Sequence, residues 1–205
     1  VVLNNLLVNA PQLRIIATSR EPLNLLGEHV YQIEGLETHN HEHRQLSEAA
    51  ELFVYMARQV SPNFQLDHDH EMKIASICNS VSGFPLAIVL AASWLNMLSV
   101  AEILGELEHG IGLLKSDAKN LPQRHQDIGF VFDSTWKILT EPEKETLISL
   151  AQFQSSYTRD AIQAIASTEL HVLLNLVRKG LVMYHAKSSR YYLHELFRQF
   201  ILDRI

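Results

Sequence analysis

From Ser47 to Gly110, apolar residues recur every three or four positions, which is the spacing of helices that bury one face. Ser47 suits an N-cap, because its hydroxyl can accept a hydrogen bond from the first turn. Pro85 suits the first turn of a third helix, since the N–H that proline lacks would have no partner there. The pattern predicts a small bundle of four helices at 47–60, 69–81, 85–98 and 99–109.

The last part of the chain combines helical periodicity with a hairpin pattern. Glycine, asparagine and proline at 110–126 indicate a linker. Thr140 begins a T-x-x-E capping box with proline in the first turn, and Gly180 suits a C-cap. Helices are predicted at 131–139, 140–152, 158–166, 168–179 and 194–205, and hairpin strands at 181–184 and 191–193. Three helices, a hairpin and a helix follow the order of a winged-helix domain.

The first 36 residues have a different pattern. Residues 1–8 are typical of the end of a helix, 13–18 form a short apolar run typical of a buried strand, and 29–33 alternate like a second strand. This order predicts the last third of an α/β sheet domain. Because the chain begins at Val1 without methionine and without the pattern of a signal peptide, we expect it to be part of a longer protein.

Composition narrows the function classes. The chain has 205 residues, 47% of them hydrophobic, which is enough for one or two domains with a core. A single cysteine, Cys78, predicts a reducing cytoplasm, and no apolar run reaches the roughly 18 residues of a membrane span. The net charge of −6 argues against a nucleic-acid surface over the whole chain. None of the eight glycines precedes Lys, Ser or Thr, so a phosphate-cradling G-x-x-x-x-G-K-[ST] loop is absent from these residues.

Four segments resemble the STAND class of signal-transducing NTPases, in its AP-ATPase or NB-ARC branch. L-R-I-I-A-T-S-R-E-P-L from Leu13 resembles the sensor-1 strand, and S-G-F-P-L-A-I from Ser82 resembles the G-L-P-L-A motif with Phe84 in place of leucine. P-Q-R-H-Q-D-I-G-F-V-F-D-S-T-W from Pro122 resembles the opening of the winged-helix domain of bacterial members. L-H-E-L-F-R-Q-F from Leu193 resembles the M-H-D motif, with Leu and Glu for Met and Asp. The segments follow the family's order and span nearly the whole chain.

The resemblance implies a mostly α chain in three parts. Residues 1–36 would end the α/β nucleotide-binding domain, 37–115 would form the helical (ARC1-like) domain, and 116–205 the winged-helix (ARC2-like) domain. The family's phosphate-binding loop and acidic Mg²⁺-holding strand would lie before Val1. The implied cofactors are ATP and ADP, with Mg²⁺ in the full-length protein.

Arg20 is the first candidate site residue. It follows the predicted buried strand, at the end where α/β sheets place ligand-contacting groups, and a guanidinium there can bind a terminal phosphate bidentately. Thr18 and Ser19 add hydroxyl groups beside it. The alternative is a surface arginine paired with Glu21. The family resemblance favours the phosphate contact.

Two helix starts supply the other candidates. Gly83, Pro85 and Leu86 belong to the G-L-P-L-A-like segment, in which the family's proline lies against the nucleotide; the alternative is an ordinary helix start. His194 matches the family histidine that contacts the diphosphate of ADP, and a protonated ring would favour that contact. The alternative is a half-buried histidine that caps its own helix.

Three other features favour structural interpretations. The histidines of the polar loops lack the i,i+4 spacing of zinc sites, so no metal site is predicted; they are His39, His41, His43, His68 and His70. Cys78 lies on an apolar helix face, which favours an inert core thiol. The helix at 168–179 offers Arg178 and Lys179 only at its far end, a poor set for reading DNA bases. The distribution of net charge also argues against DNA binding, since residues 1–120 carry −7 and residues 121–205 only +1.

The resulting hypothesis is the regulatory part of an ATP/ADP switch in a transcriptional regulator. The helical and winged-helix domains would close over ADP through Pro85 and His194, and exchange for ATP, sensed by Arg20, would open them. No catalytic residue is predicted in this chain. Expected partners are the nucleotide, the protein's own upstream domain and further copies on activation, with DNA contacted only through other domains and no membrane. The alternatives are a winged-helix DNA-binding regulator and a protein-interaction module without nucleotide.

Overall fold

The computed structural model describes residues 2–10, 12–19, 22–31, 33–39, 46–115 and 126–205. Within these ranges the chain is mostly helical and has one two-stranded antiparallel sheet. The helices are α1 (Val2–Asn9), α2 (Glu48–Val60), α3 (His68–Ser80), α4 (Pro85–Ser93), α5 (Val100–Glu108), α6 (Ile128–Trp136), α7 (Glu141–Ala151), α8 (Arg159–Ala166), α9 (Leu170–Arg178) and α10 (Glu195–Leu202). The strands are β1 (Val182–His185) and β2 (Arg190–Leu193).

The predicted four-helix bundle is confirmed, with α2 packed on α3 and α4, and α3 packed on α5. The Ser47 hydroxyl accepts from the Ala50 N–H at 3.3 Å, and Ser99 and Glu102 form a complete capping box. These caps satisfy backbone donors that have no partner inside the helix. The interior of the bundle is lined by small and branched side chains such as Ala49, Ile74 and Ile88, all fully buried.

The third bundle helix is shorter than predicted. α4 ends at Ser93 rather than at 98, and a 3-10 turn at Trp94–Asn96 follows. The Ser93 hydroxyl donates to the Leu90 carbonyl at 2.6 Å, and the Trp94 indole donates to the Leu113 carbonyl at 2.6 Å. This indole contact ties the turn to the segment after α5.

The C-terminal elements follow the predicted order. Thr140 and Glu143 form the capping box of α7, and Gly180 has the positive φ of +67° expected after a helix end. The Gly180 and Leu181 N–H groups donate to the carbonyls of Val177 and Leu176, the pair of bonds of a Schellman motif. The hairpin pairs Val182 with Leu193 and His185 with Arg190. Tyr157 forms an antiparallel bridge to Tyr191, which extends the sheet before α8.

Two helix starts differ from the prediction. α6 begins at Ile128 rather than 131, because the Asp127 carboxylate caps it by accepting from the Gly129 N–H at 2.7 Å. α9 begins at Leu170 rather than 168. The Thr168 hydroxyl instead donates to the Ala166 carbonyl at 3.2 Å and lies 2.8 Å from the Thr146 hydroxyl, so its side chain supports the loop.

One continuous hydrophobic core runs from α2 to α10. The stretch predicted as a linker takes part in this core, because Ile111 and Leu114 are buried. The backbones of Lys115 and Asp127 form an isolated antiparallel β-bridge. Residues 116–125, the centre of that prediction and the start of the segment from Pro122, lie outside the described residues. α10 packs on α6, on α7 and on the 3-10 turn Ile111–Leu113, so the two helical groups share an interior.

The two predicted N-terminal strands are wrong for the residues that the structure describes. Residues 13–18 form no strand and are exposed, with Ile16 98% exposed, and 29–31 and 33 are likewise unpaired. A strand is held by ladder hydrogen bonds to a neighbour, and the described part of the chain supplies no neighbouring strand there. The helix predicted at the start is present as α1. Among the described residues, no helix is long and apolar enough to cross a membrane.

Candidate functional site

The turn between α3 and α4 places the G-L-P-L-A-like segment. The Gly83 and Ser82 N–H groups donate to the Cys78 and Asn79 carbonyls, both at 2.9 Å, so the chain reverses at the end of α3. Ser82 and Gly83 both have positive φ, and a Cβ on Gly83 would lie 2.0 Å from the Leu36 carbonyl oxygen. The Leu36 N–H donates to the Gly83 carbonyl at 2.9 Å. Glycine is therefore needed here for a close backbone approach.

Pro85 follows this turn as the first residue of α4, as predicted. The start of α4 faces a cavity of about 1520 Å³, which lies between the N-terminal segment, the turn and the hairpin. The cavity exceeds the roughly 300–1,000 Å³ of typical small-molecule sites. The predicted site residues that line it are Thr18, Ser19, Pro85 and His194.

His194 lies between β2 and α10, as the N-cap residue of that helix, and its side chain makes no capping hydrogen bond. Its ring meets the ring of Phe84 edge-on, with centroids 5.9 Å apart. Burial lowers the pKa of His194 below its usual 6.5, and the nearby Glu195 carboxylate opposes this shift. The imidazole is therefore neutral at pH 7, which differs from the protonated ring that the sequence hypothesis favours.

The Nδ1 atom of His194 is buried and has no hydrogen-bond partner among the described residues. Buried polar side-chain atoms normally have one, and leaving such an atom unsatisfied costs about 1–3 kcal/mol. The predicted alternative, a histidine that caps its own helix, is wrong because no capping bond forms. An unsatisfied ring nitrogen beside a cavity is a group that a polar ligand could bind.

The aromatic contact at Phe84 continues into the C-terminal helices. Phe84 lies 6.4 Å from Phe132 of α6, whose ring lies 5.3 Å from Phe197 and 5.4 Å from Phe200 of α10. Such tilted and edge-on ring pairs are favourable at these centroid distances. The residue that departs from the family's leucine thus joins α4 to α6 and α10.

Glu195, which stands where the resembled M-H-D motif has aspartate, is held by Arg198 one turn later. The Arg198 guanidinium donates to both Glu195 carboxylate oxygens, at 2.9 and 2.8 Å, and to the Ala151 carbonyl at 3.1 Å. Hydrogen bonds and charge from Arg198 lower the pKa of Glu195 against the effect of burial. The carboxylate therefore holds the Arg198 side chain, which in turn joins α10 to the end of α7.

The structure does not bring all the predicted site residues together. Gly83 is buried against Leu36 and Leu86 packs against the core, and neither lines the cavity. Arg20 lies outside the described residues, as do His41 and His43.

Two cavity-lining residues were missed as site residues. Phe84 was noted only as a departure, and Arg178 only as a weak DNA contact. Both line the cavity together with Pro85 and His194. The position of Phe84 inside the Gly83-Phe84-Pro85 segment could have marked it as a site residue from the sequence. The place of Arg178 beside the cavity follows only from the geometry of the hairpin.

The surroundings of Cys78 agree with the interpretation of an inert core thiol. Cys78 is fully buried, and burial raises the pKa of its thiol to about 12, so it is an inert thiol at neutral pH. No group of three potential metal ligands occurs in the part of the chain that is described. The exposed residues of α9 are Leu170, His171, Leu174 and Arg178, two apolar and two polar side chains.

Comparison with models of protein families gives no match. The chain is 31% identical, over 98% of its length, to a protein of Mycobacterium tuberculosis strain H37Rv that carries the provisional name of an HTH-type transcriptional regulator. It is 30% identical, over its full length, to an uncharacterised protein of Mycobacterium bovis. The chain spans 23% of the length of the first relative and 53% of the second.

A solved structure also resembles the chain. It is a signal transduction ATPase with numerous domains (STAND) that has a tetratricopeptide repeat sensor, from Pyrococcus horikoshii. The TM-score is 0.36 and the sequence identity 18%, over 84% of this chain and 20% of that one.

Proposed function

We propose that this chain is the regulatory part of a STAND-type nucleotide switch, in which the two helical groups close over ADP. The observation that carries the proposal is the meeting of two motifs distant in sequence. Phe84 and Pro85 of one motif and His194 of the other line the same cavity, and the Phe84 and His194 rings lie 5.9 Å apart. The buried Nδ1 atom without a partner supports a polar ligand at that point.

The residues fit a nucleotide in distinct roles. Pro85 would pack its apolar ring against the nucleotide, and His194, neutral at pH 7, would donate or accept one hydrogen bond at a phosphate oxygen. Thr18 and Ser19 would add hydroxyl contacts, and Arg20 would bind the terminal phosphate of ATP. The nucleotide supplies the negative charge and hydrogen-bond acceptors that join the parts. Hydrolysis and Mg²⁺ binding would depend on residues outside this chain.

The order of the C-terminal elements supports a winged-helix domain. α7, α8 and α9 precede the β1–β2 hairpin, and Tyr157 adds a short third pairing to the sheet. The domain limits that we propose are 37–115 for the helical domain and 116–205 for the winged-helix domain, after the end of the nucleotide-binding domain at 1–36. Opening on ATP exchange would free the winged-helix domain for oligomerisation with further copies, in the cytoplasm.

Retention of ADP by the full-length protein tests the switch. We expect His194→Ala to release bound ADP about tenfold faster than wild type, the effect of losing roughly one hydrogen bond to a charged group. His109→Ala is the matched control, because that exposed ring hydrogen-bonds the Gly105 carbonyl of its own helix. Equal ADP release from all three proteins would contradict the proposal.

A second candidate is a DNA-binding regulator, which is favoured by the name of the mycobacterial relative. The exposed face of α9 argues against DNA reading by this chain, since base edges are read by several polar or charged side chains and half of the exposed residues of α9, Leu170 and Leu174, are apolar. A gel-shift series across salt concentrations separates the two. Binding by this chain at low salt that weakens steeply with added salt would support the DNA-binding function.

A further inference from the structure

Two adjacent cations at the end of α9 have opposite surroundings. The Lys179 ammonium donates to both carboxylate oxygens of Glu143, at 2.7 and 2.9 Å, and the Glu143 side chain is almost fully buried. That carboxylate also accepts from the Thr140 N–H in the α7 capping box. The ion pair of Lys179 with Glu143 therefore holds the end of α9 on the start of α7.

Arg178 makes no comparable ion pair with the described residues. Its side chain is exposed and lines the cavity, and among the described residues no carboxylate lies within ion-pair distance of it. Glu195, at the start of α10, is an acidic residue that also lines the cavity. Its carboxylate already accepts hydrogen bonds from Arg198 and Gln199. A guanidinium without an ion-pair partner among the described residues thus borders the same space as His194.

The fold fixes this arrangement. Gly180 turns the chain after α9 with a φ of +67°, and Val182 at the start of β1 pairs with Leu193 at the end of β2. The end of α9 and the start of α10 therefore lie at the same end of the hairpin. Arg178 at the end of α9 and His194 before α10 are therefore joined to the same end of a paired hairpin, and both line the cavity.

We propose that Arg178 is a further anion-binding residue of this cavity, which contacts the phosphate chain of a nucleoside diphosphate or triphosphate from the hairpin side. A guanidinium offers two parallel N–H donors that match two phosphate oxygens, and it remains charged at any physiological pH. The inference rests on the proposed function. It adds a positive charge where His194, neutral at pH 7, supplies none.

Calorimetric titration of the full-length protein, freed of bound nucleotide, with ADP and with adenosine tests the inference. Arg178→Gln is expected to weaken ADP binding about tenfold and to leave adenosine binding unchanged, because adenosine has no phosphate. Arg178→Lys, which keeps the charge but not the pair of parallel N–H donors, is expected to lose less ADP affinity than Arg178→Gln. Arg58→Gln is the matched control, since Arg58 is also an exposed arginine in the last turn of its helix.

The outcomes separate this inference from the function on which it rests. If wild type binds ADP and Arg178→Gln binds it as tightly as Arg58→Gln does, the role of Arg178 is overturned while the switch stands. An equal loss of ADP and adenosine affinity in Arg178→Gln would indicate a change of cavity shape and would also overturn it. A wild-type protein that binds no ADP overturns both. Should Arg178→Gln fail to fold, the comparison of Arg178→Lys with Arg58→Gln decides.

Discussion

At the scale of single residues, His194 has the most informative surroundings. Its ring is packed against Phe84, its Nδ1 atom is buried without a partner, and its pKa is lowered by burial. A charged ring would have to give up solvation here and would gain only the nearby Glu195 carboxylate, which already binds Arg198. The folded chain therefore favours the neutral imidazole.

This preference predicts a pH dependence of stability. Because the folded-state pKa of His194 lies below the unfolded value of 6.5, the unfolded chain binds the proton first as the pH falls. Above pH 6.5 this effect of His194 on stability is absent, because the ring is neutral in both states. The free energy of unfolding then decreases as the pH falls from the unfolded-state pKa to the folded-state pKa of His194. Urea unfolding at pH 7 and pH 5 should show a smaller acid loss for His194→Gln than for wild type.

The exposed His171 provides the control for that measurement. His171→Gln should lose about as much stability on acidification as wild type, because the side chain of His171 is exposed. An identical pH dependence of wild type and His194→Gln would show that the ring is not held neutral by the fold.

At the scale of elements, the residues that precede α4 and α10 meet through aromatic rings. Phe84 precedes α4, contacts His194 before α10, and contacts Phe132 of α6. Both contacts cross between the bundle and the C-terminal helices. The family resemblance gives leucine as the usual residue at this position, and leucine lacks the ring edge and face that these contacts use.

We expect Phe84→Leu to lower the free energy of unfolding by about 1 kcal/mol, the effect of losing aromatic pairing while keeping most of the apolar volume. Denaturant unfolding measures it. Phe130→Leu is the control, because that phenylalanine is 38% exposed on α6 and makes no ring contact with the described residues; its change should stay within about 0.5 kcal/mol. Equal stability of Phe84→Leu and Phe130→Leu would contradict a stabilising role of the contact.

At the scale of the whole molecule, residues from α2 to α10 share one core. Ile111 and Leu114, in the stretch between the two helical groups, are buried in it, and α10 packs against that stretch. Residues 2–39 contribute no buried residue within their described ranges. The two helical groups therefore should unfold together, even though they are proposed to be separate domains.

The two tryptophans report on this cooperativity, because Trp94 follows α4 and Trp136 ends α6. Variants Trp94→Phe and Trp136→Phe each leave one tryptophan, whose fluorescence can be excited selectively. Within each variant, the fluorescence and circular dichroism transitions in urea should have the same midpoint. A Trp94 signal that changes at a different urea concentration from the helical signal of its own variant would show independent domains.

The helices could be predicted from the sequence because their signals are local. Ser47 and Ser99 cap their helices through hydroxyl groups that accept from backbone N–H groups three residues away, and the Thr140 N–H donates to Glu143 in the α7 capping box. All three residues stand directly before a helix, as expected. Gly180 ends α9 for an equally local reason. The strands predicted at 13–18 and 29–33 failed because a strand depends on a neighbour, which an apolar run does not specify.

The sequence by itself determined the order of the helices, the hairpin and their caps, and it marked Pro85 and His194 as candidate site residues. Only the tertiary structure decided that Phe84 meets His194, that burial keeps that histidine neutral, and that Lys179 is committed to Glu143 while Arg178 borders the cavity. Caps and turns arise from bonds between residues close in the chain. Ring contacts, desolvation and ion pairing depend on which distant elements the common core brings together.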